Sequence, residues 1–216
     1  MKLRSRVEAS DTRSFRLVGL LTCSLVGIVG GQFVQAAVVQ GSPERSTRLL
    51  VADFNQPGWR TNLGDPFGSW DHDPGDQTQF CRVRLVEMPR VGTEGYSLQL
   101  DYDEDSPNPA YNGFWMKLPS IPLRQFRTLS LTIMGEGSRG FTKRVKLELK
   151  DGKDVADYVL EGIEAQWIEM RIPLRAFRGI EKVHKVTELV LVFDDETVTE
   201  PVGTLYLENV AFDVAP

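Results

Sequence analysis

The feature that most constrains this chain is strict period-two alternation, repeated in short runs along nearly its whole length. In "YSLQLDYD", Leu98, Leu100 and Tyr102 alternate with Gln99, Asp101 and Asp103. In "KRVKLELKD", Val145, Leu147 and Leu149 alternate with Lys146, Glu148 and Lys150. "TLSLTIMG" places Leu129, Leu131 and Ile133 on one side, and "QFCRVRLVEM" sets Cys81, Val83 and Leu85 against Arg82 and Arg84. Successive side chains of a strand point to opposite faces, so each run describes a strand with one dry and one wet face. "RLLVADF", "GFWMKL", "WIEMRIPL", "ELVLVFDD" and "GTLYLENVAFDV" bring the set to about nine strands, separated by turn residues. That spacing predicts an all-β fold, an antiparallel β-sandwich or a barrel. No long stretch has a helical period; "PLRAFRGIEKVHK" admits one short helical turn.

The first residues follow another pattern. Lys2, Arg4, Arg6, Arg13 and Arg16 outnumber Glu8 and Asp11, and Leu17 to Gly31 carries no charge. Small residues follow at Val34 and Ala36. A basic region, an apolar region and a small-residue exit make residues 1–36 a signal peptide, or an N-terminal membrane anchor if uncleaved. Thr22 before Cys23 argues against a lipid anchor at that cysteine. Residues 37–48 read as a polar linker, and 49–216 as one domain. The expected location is secreted or periplasmic, with a membrane-anchored exported form as the alternative.

Loss of residues 1–36 takes the net charge from −5 to −8. An acidic domain disfavours nucleic acid and anionic membrane as partners. Cys81 is then the one cysteine left, so no intrachain disulfide forms, and its alternating context predicts a buried thiol. The remaining chain can bury about 70% of its unfolded surface, enough for a core without staples.

The catalytic inventory is thin. His72 and His184 are the only histidines, and no zinc, phosphate-loop, dinucleotide or nucleophile-elbow motif occurs. The expectation is a protein that is not an enzyme, although close carboxylate pairs would permit a small glycoside hydrolase. "DHDPGD", Asp71 to Asp76, has oxygen ligands suited to calcium, but Pro74 and Gly75 also explain it as a solvated turn. Asp101 to Gly113 forms a second acidic loop, with Tyr111 as an aromatic beside it. Four tryptophans need places. Trp167 opens a strand, Trp115 points opposite to Phe114, and Trp59 and Trp70 lie in a segment rich in turn residues. Each indole either packs the fold or stacks on a sugar ring.

"VADFNQPGW" followed by "NLGDPFGSW" resembles the opening of galactose-binding-like jelly-roll domains, similar to the family 11 carbohydrate-binding modules. "SLQLDYD" with "GFWMKL" resembles the family's paired central strands, and "WIEMRIPLRAF" its Trp-containing strand and Ile-Pro-Leu-x-x-Phe turn. "ELVLVFDD" and "GTLYLENVAF" resemble its closing strands, and complex I intermediate-associated assembly factors share the fold. The resemblance spans residues 49–213. It implies a non-catalytic jelly roll that binds a poly- or oligosaccharide, often with a structural calcium. Asp53 matches the first-strand Asp, and Glu208 stands where the family has Asp before the closing-strand Asn or Asp; these are the implied metal residues. Asp65 replaces the second glycine of the family's Leu-Gly-Gly.

These readings give a glycan-binding set of Trp59, Gln99, Asp101, Asp103, Tyr111, Trp115, Lys146 and Glu148, the five strand residues Gln99, Asp101, Asp103, Lys146 and Glu148 sharing one face on the condition that their strands share one sheet. Trp59 is expected to be the freer indole of the opening segment and Trp70 the more structural one. A protein-interaction or assembly module on the same fold is the alternative.

Overall fold

The computed structural model describes residues 47–214. The leader or anchor of residues 1–36 and nearly all of the linker lie outside them. Among the described residues no helix is long and apolar enough to cross a membrane.

Among the described residues eleven strands form two antiparallel sheets. They are β1 (Arg48–Ala52), β2 (Phe67–Asp71), β3 (Phe80–Val86), β4 (Ser97–Asp103), β5 (Tyr111–Pro122), β6 (Thr128–Gly135), β7 (Arg144–Asp151), β8 (Asp154–Glu161), β9 (Ile168–Pro173), β10 (Lys185–Asp194) and β11 (Val202–Asp213). One sheet runs β3-β4-β11-β6-β9, with β1 also on β11; the other runs β2-β5-β10-β7-β8. The predicted β-sandwich is the observed fold, and the extra strands are β2 and β8. The predicted helical turn is two 3-10 turns, at Leu174–Ala176 and Ile180–Lys182.

The alternation dictates the core. Leu98, Leu100, Leu131, Ile133, Leu205 and Leu207 of one sheet are fully buried, as are Phe114, Met116, Leu147, Leu149, Leu189 and Leu191 of the other. Each such side chain contributes roughly 2 kcal/mol by leaving water. Tyr102 and Phe193 stack across the two layers with centroids 4.2 Å apart. The Tyr102 hydroxyl accepts from Thr142 N–H at 2.6 Å and donates to the Glu200 carbonyl at 3.2 Å. Cys81 is buried, as its context predicts.

Two departures from the sequence reading matter for the site. First, β4 and β5 are not paired. The chain crosses from one sheet to the other between Asp103 and Tyr111. Second, β11 changes partner midway. It pairs with β4 through Leu207 and with β1 from Val210 onward, and the switch coincides with an irregularity at Asn209, whose φ is 53°. A left-handed residue here turns the strand and lets it serve two neighbours.

Candidate functional site

The outer face of the five-stranded sheet carries a flat aromatic surface built by register. Gly68 on β2 pairs with Trp115 on β5, and Trp70 on β2 pairs with Gly113 on β5. Each indole therefore faces a glycine on the neighbouring strand. A Cβ added at Gly68 would lie 3.0 Å from the Trp115 ring, and one at Gly113 would lie 3.0 Å from Trp70 Nε1 and collide with the Leu191 carbonyl oxygen. The Trp115 ring passes over Gly68 and Trp70 Nε1 over Gly113, where a larger residue would displace them. The Trp115 indole N–H donates to the Ser69 carbonyl at 3.3 Å, fixing the ring's orientation. Tyr111 extends the surface edge-on to Trp70 at 5.6 Å, and His72 stacks on Tyr111 at 4.0 Å.

Charged side chains border this surface. Trp70, Trp115, Lys117, Lys150, Glu188 and Val190 line a shallow groove of about 450 Å³. Lys117 pairs with Glu188 at 2.6 Å, Lys150 with Glu148 at 3.1 Å, and Lys146 with Asp194 at 2.5 Å. Lys117 Nζ also lies 5.6 Å from the Trp115 ring centre. Burial opposes ionisation of Asp194, but hydrogen bonds from Lys146 and Thr197 outweigh it and hold the carboxyl below its ordinary value. Val190 and Val192 share this face yet are nearly fully covered, so the groove has an apolar floor under a row of ion pairs. Such a surface suits a ligand with one flat apolar side and hydroxyls on its rim.

The condition that Gln99, Asp101, Asp103, Lys146 and Glu148 share one sheet fails. Tyr111, Trp115, Lys146 and Glu148 share the outer face just described. Gln99, Asp101 and Asp103 are on β4, in the other sheet, and face the opposite side of the molecule. Period-two alternation assigns a side chain to a wet face without saying which sheet that face belongs to. Gln99 also points outward but is only 7% exposed, with its amide donating to Asp101 Oδ1 at 2.8 Å. Asp103 Oδ1 accepts from Asp105 N–H at 3.0 Å, closing its own turn. Trp59 is 51% exposed, as expected, but it rests against Phe67 with centroids 5.6 Å apart, outside the groove. Phe54 and Phe67 fasten the opening segment instead, by packing with Phe114. Trp70 was expected to be structural and belongs to the groove. The glycines opposite the indoles were visible in the sequence, but their partners emerge only from the register.

The two acidic loops are one unit. Asp76 accepts from the Thr78 N–H and hydroxyl, Gln79 Nε2, the Ser106 hydroxyl and Asn108 Nδ2. Those donors hold it well below the ordinary carboxylate range. The Asp76 carboxylate is thus engaged in joining the two loops.

Asp53 and Glu208 are near enough to feel each other's charge, beside the point where β11 changes partner. Burial raises Glu208 to about 7, the Val91 N–H bonded to Oε1 at 2.7 Å opposes this, and the Asp53 charge adds to it. Asn55 Oδ1 is buried without a hydrogen-bond partner, and Asn55 N–H donates to Asp53 Oδ1 at 3.0 Å. Two carboxylates and an orphaned amide oxygen are hard donors that fit calcium. Among the described residues no cluster of three or more His, Cys, Asp or Glu is placed to hold a metal, so such a site needs amide and backbone oxygens as well.

No protein-family model matches the chain. No curated protein matches it in sequence. Solved structures do. The family 11 carbohydrate-binding module from Clostridium thermocellum in complex with a β-1,3-1,4-mixed-linked tetrasaccharide superposes with a TM-score of 0.57 at 15% identity, covering 77% of this chain and 95% of that one. The family 30 carbohydrate-binding module of the cellulosomal cellulase Cel9D-Cel44B from the same organism gives 0.51 at 15% identity, covering 70% and 91%. An exo-β-agarase gives 0.52 at 11% identity, with 79% of this chain covered but 25% of the enzyme. With its sheet order and core in view, the chain has the galactose-binding-like jelly-roll fold of the family 11 carbohydrate-binding modules.

Proposed function

We propose that this chain is an exported, non-catalytic carbohydrate-binding module that takes its glycan on the outer face of the five-stranded sheet. The observation that carries this reading is the reciprocal Trp–Gly pairing of β2 with β5, which lays two indoles flat beside a groove. An indole face meets the C–H face of a pyranose, burying apolar area at little entropic cost. Lys117, Glu188, Lys150 and Glu148 then supply hydrogen bonds to ring hydroxyls. The solved family 11 complex makes β-1,3-1,4-mixed-linked glucan the first ligand to try. Calcium, held by Asp53, Glu208 and the Asn55 amide oxygen, would act structurally by neutralising the paired carboxylates where β1, β4 and β11 meet.

The test is affinity electrophoresis across a polysaccharide panel that includes mixed-linked glucan. We expect retardation on at least one neutral β-glucan, weakened roughly tenfold or more in Trp70→Ala and Trp115→Ala. Trp59→Ala should leave retardation unchanged. A folded protein that no polysaccharide slows, or one whose retardation survives both groove substitutions, would overturn the reading.

A further inference from the structure

The opposite side of the sandwich carries a second groove of different chemistry. On the outer face of the six-stranded sheet, Phe80, Arg82, Arg84, Asp101, Arg139 and Thr204 line a concavity of about 630 Å³. Three guanidinium groups surround one carboxylate. That carboxylate is fully engaged: Asp101 Oδ1 accepts from Gln99 Nε2 at 2.8 Å and from the Thr204 hydroxyl at 2.7 Å, and Oδ2 pairs with Arg84. Arg139 approaches Asp101 at 3.6 Å. Arg82 has no carboxylate partner among the described residues; its guanidinium lies over the Phe80 ring at 4.2 Å. Asp103 and Glu136 are not part of the lining. Asp103 closes its own turn, and Glu136 accepts from Ser138 and from the Tyr206 hydroxyl. With three guanidinium groups against one carboxylate, the lining itself carries a surplus of positive charge on a chain whose net charge is −5.

A guanidinium fork matches a planar carboxylate and binds it through two parallel hydrogen bonds. Arg84 and Arg139 keep further N–H donors for hydroxyls next to that carboxylate. Asp101 in the middle repels a second anionic group beside it, so the groove takes one carboxylate with hydroxyls next to it. We propose that this groove is a second binding site, selective for a uronate residue of an acidic oligosaccharide, with Arg82 as the carboxylate-binding residue. The choice of sugar over acidic peptide rests on the carbohydrate reading above; the anion site itself does not.

Calorimetric titration of the protein with trigalacturonate, its methyl ester and a triglutamate peptide tests this. Trigalacturonate should bind at low salt and the uncharged methyl ester should not. Binding should weaken about tenfold or more in Arg82→Ala, and severalfold as sodium chloride rises from about 50 to about 500 mM. Arg82 is exposed, so the variant should melt with the parent. Its retardation on neutral glucan should not change, which separates failure of this site from failure of the indole face. Three results would overturn the proposal: no trigalacturonate binding, equal binding of the methyl ester, or binding indifferent to Arg82→Ala. Tighter binding of triglutamate than of trigalacturonate would overturn the sugar assignment and make the groove a peptide site.

Discussion

Glu104 lies at the end of β4, only 3% exposed, with neither carboxylate oxygen meeting a hydrogen-bond donor. Burial, reinforced by the charges of Asp195, Asp194 and Asp103, pushes it from an ordinary value of 4.5 up to about 8. In the unfolded chain the proton leaves near 4.5. Between these values the folded state holds a proton that the unfolded state has lost, so stability falls as pH rises through that window. At about 1.36 kcal/mol for each tenfold change in proton concentration, the ceiling is about 4.8 kcal/mol. Water reaching the carboxyl and local relaxation reduce it, and we expect about 2 kcal/mol. Glu104→Gln removes the charge and keeps the shape, and its new amide can serve the orphaned Asn112 Oδ1. Urea denaturation followed by tryptophan fluorescence measures the outcome. The variant's advantage over the parent should grow by about 2 kcal/mol between pH 5 and pH 9. An advantage equal at both pH values, or a variant less stable than the parent at pH 9, would refute the reasoning.

Three further predictions concern other parts of the fold. Tyr102→Phe leaves the Thr142 N–H without its buried acceptor and should cost about 1–3 kcal/mol by urea denaturation. Gly113→Ala drives a methyl group against the Leu191 carbonyl and the Trp70 ring; it should cost about 1–3 kcal/mol and abolish retardation on neutral glucan, with a shift in tryptophan emission. If calcium binds at Asp53 and Glu208, a concentration about 100-fold above its Kd should stabilise the protein by about 2.7 kcal/mol in calorimetry. Because Glu208 holds its proton to about 7, that gain should be larger at pH 8 than at pH 6 and lost in Glu208→Ala.

The strands were legible because a half-buried strand leaves a local signal. Leu98, Leu100 and Tyr102, or Val145, Leu147 and Leu149, announce a dry face within six residues. What did not show was which strands are neighbours. Gln99 and Lys146 have the same local pattern, yet β4 and β7 belong to different layers, because pairing is decided by contacts far apart in sequence. The aromatic surface depends on that missing information. Gly68 and Gly113 read as turn-like or weakening residues in isolation, and their purpose emerges only when each meets an indole across the ladder. Trp59 showed the reverse. Its solvent exposure was readable, but exposure alone did not place it in a binding surface.

The pairing of the first strand with the last also has a mechanical meaning. Arg48 lies opposite Asp213, and Val214 N–H donates to the Thr47 carbonyl at 2.8 Å. The two ends of the folded body therefore leave it side by side, from one margin of the sandwich. A polypeptide attached at either end would suspend the domain from a single point, like a pendant on a cord. Pulling on both ends would unzip β1 from β11 one hydrogen bond at a time, a soft direction of load. Neither groove lies on that seam, so a molecule held there leaves both of its broad faces, which point in opposite directions, uncovered.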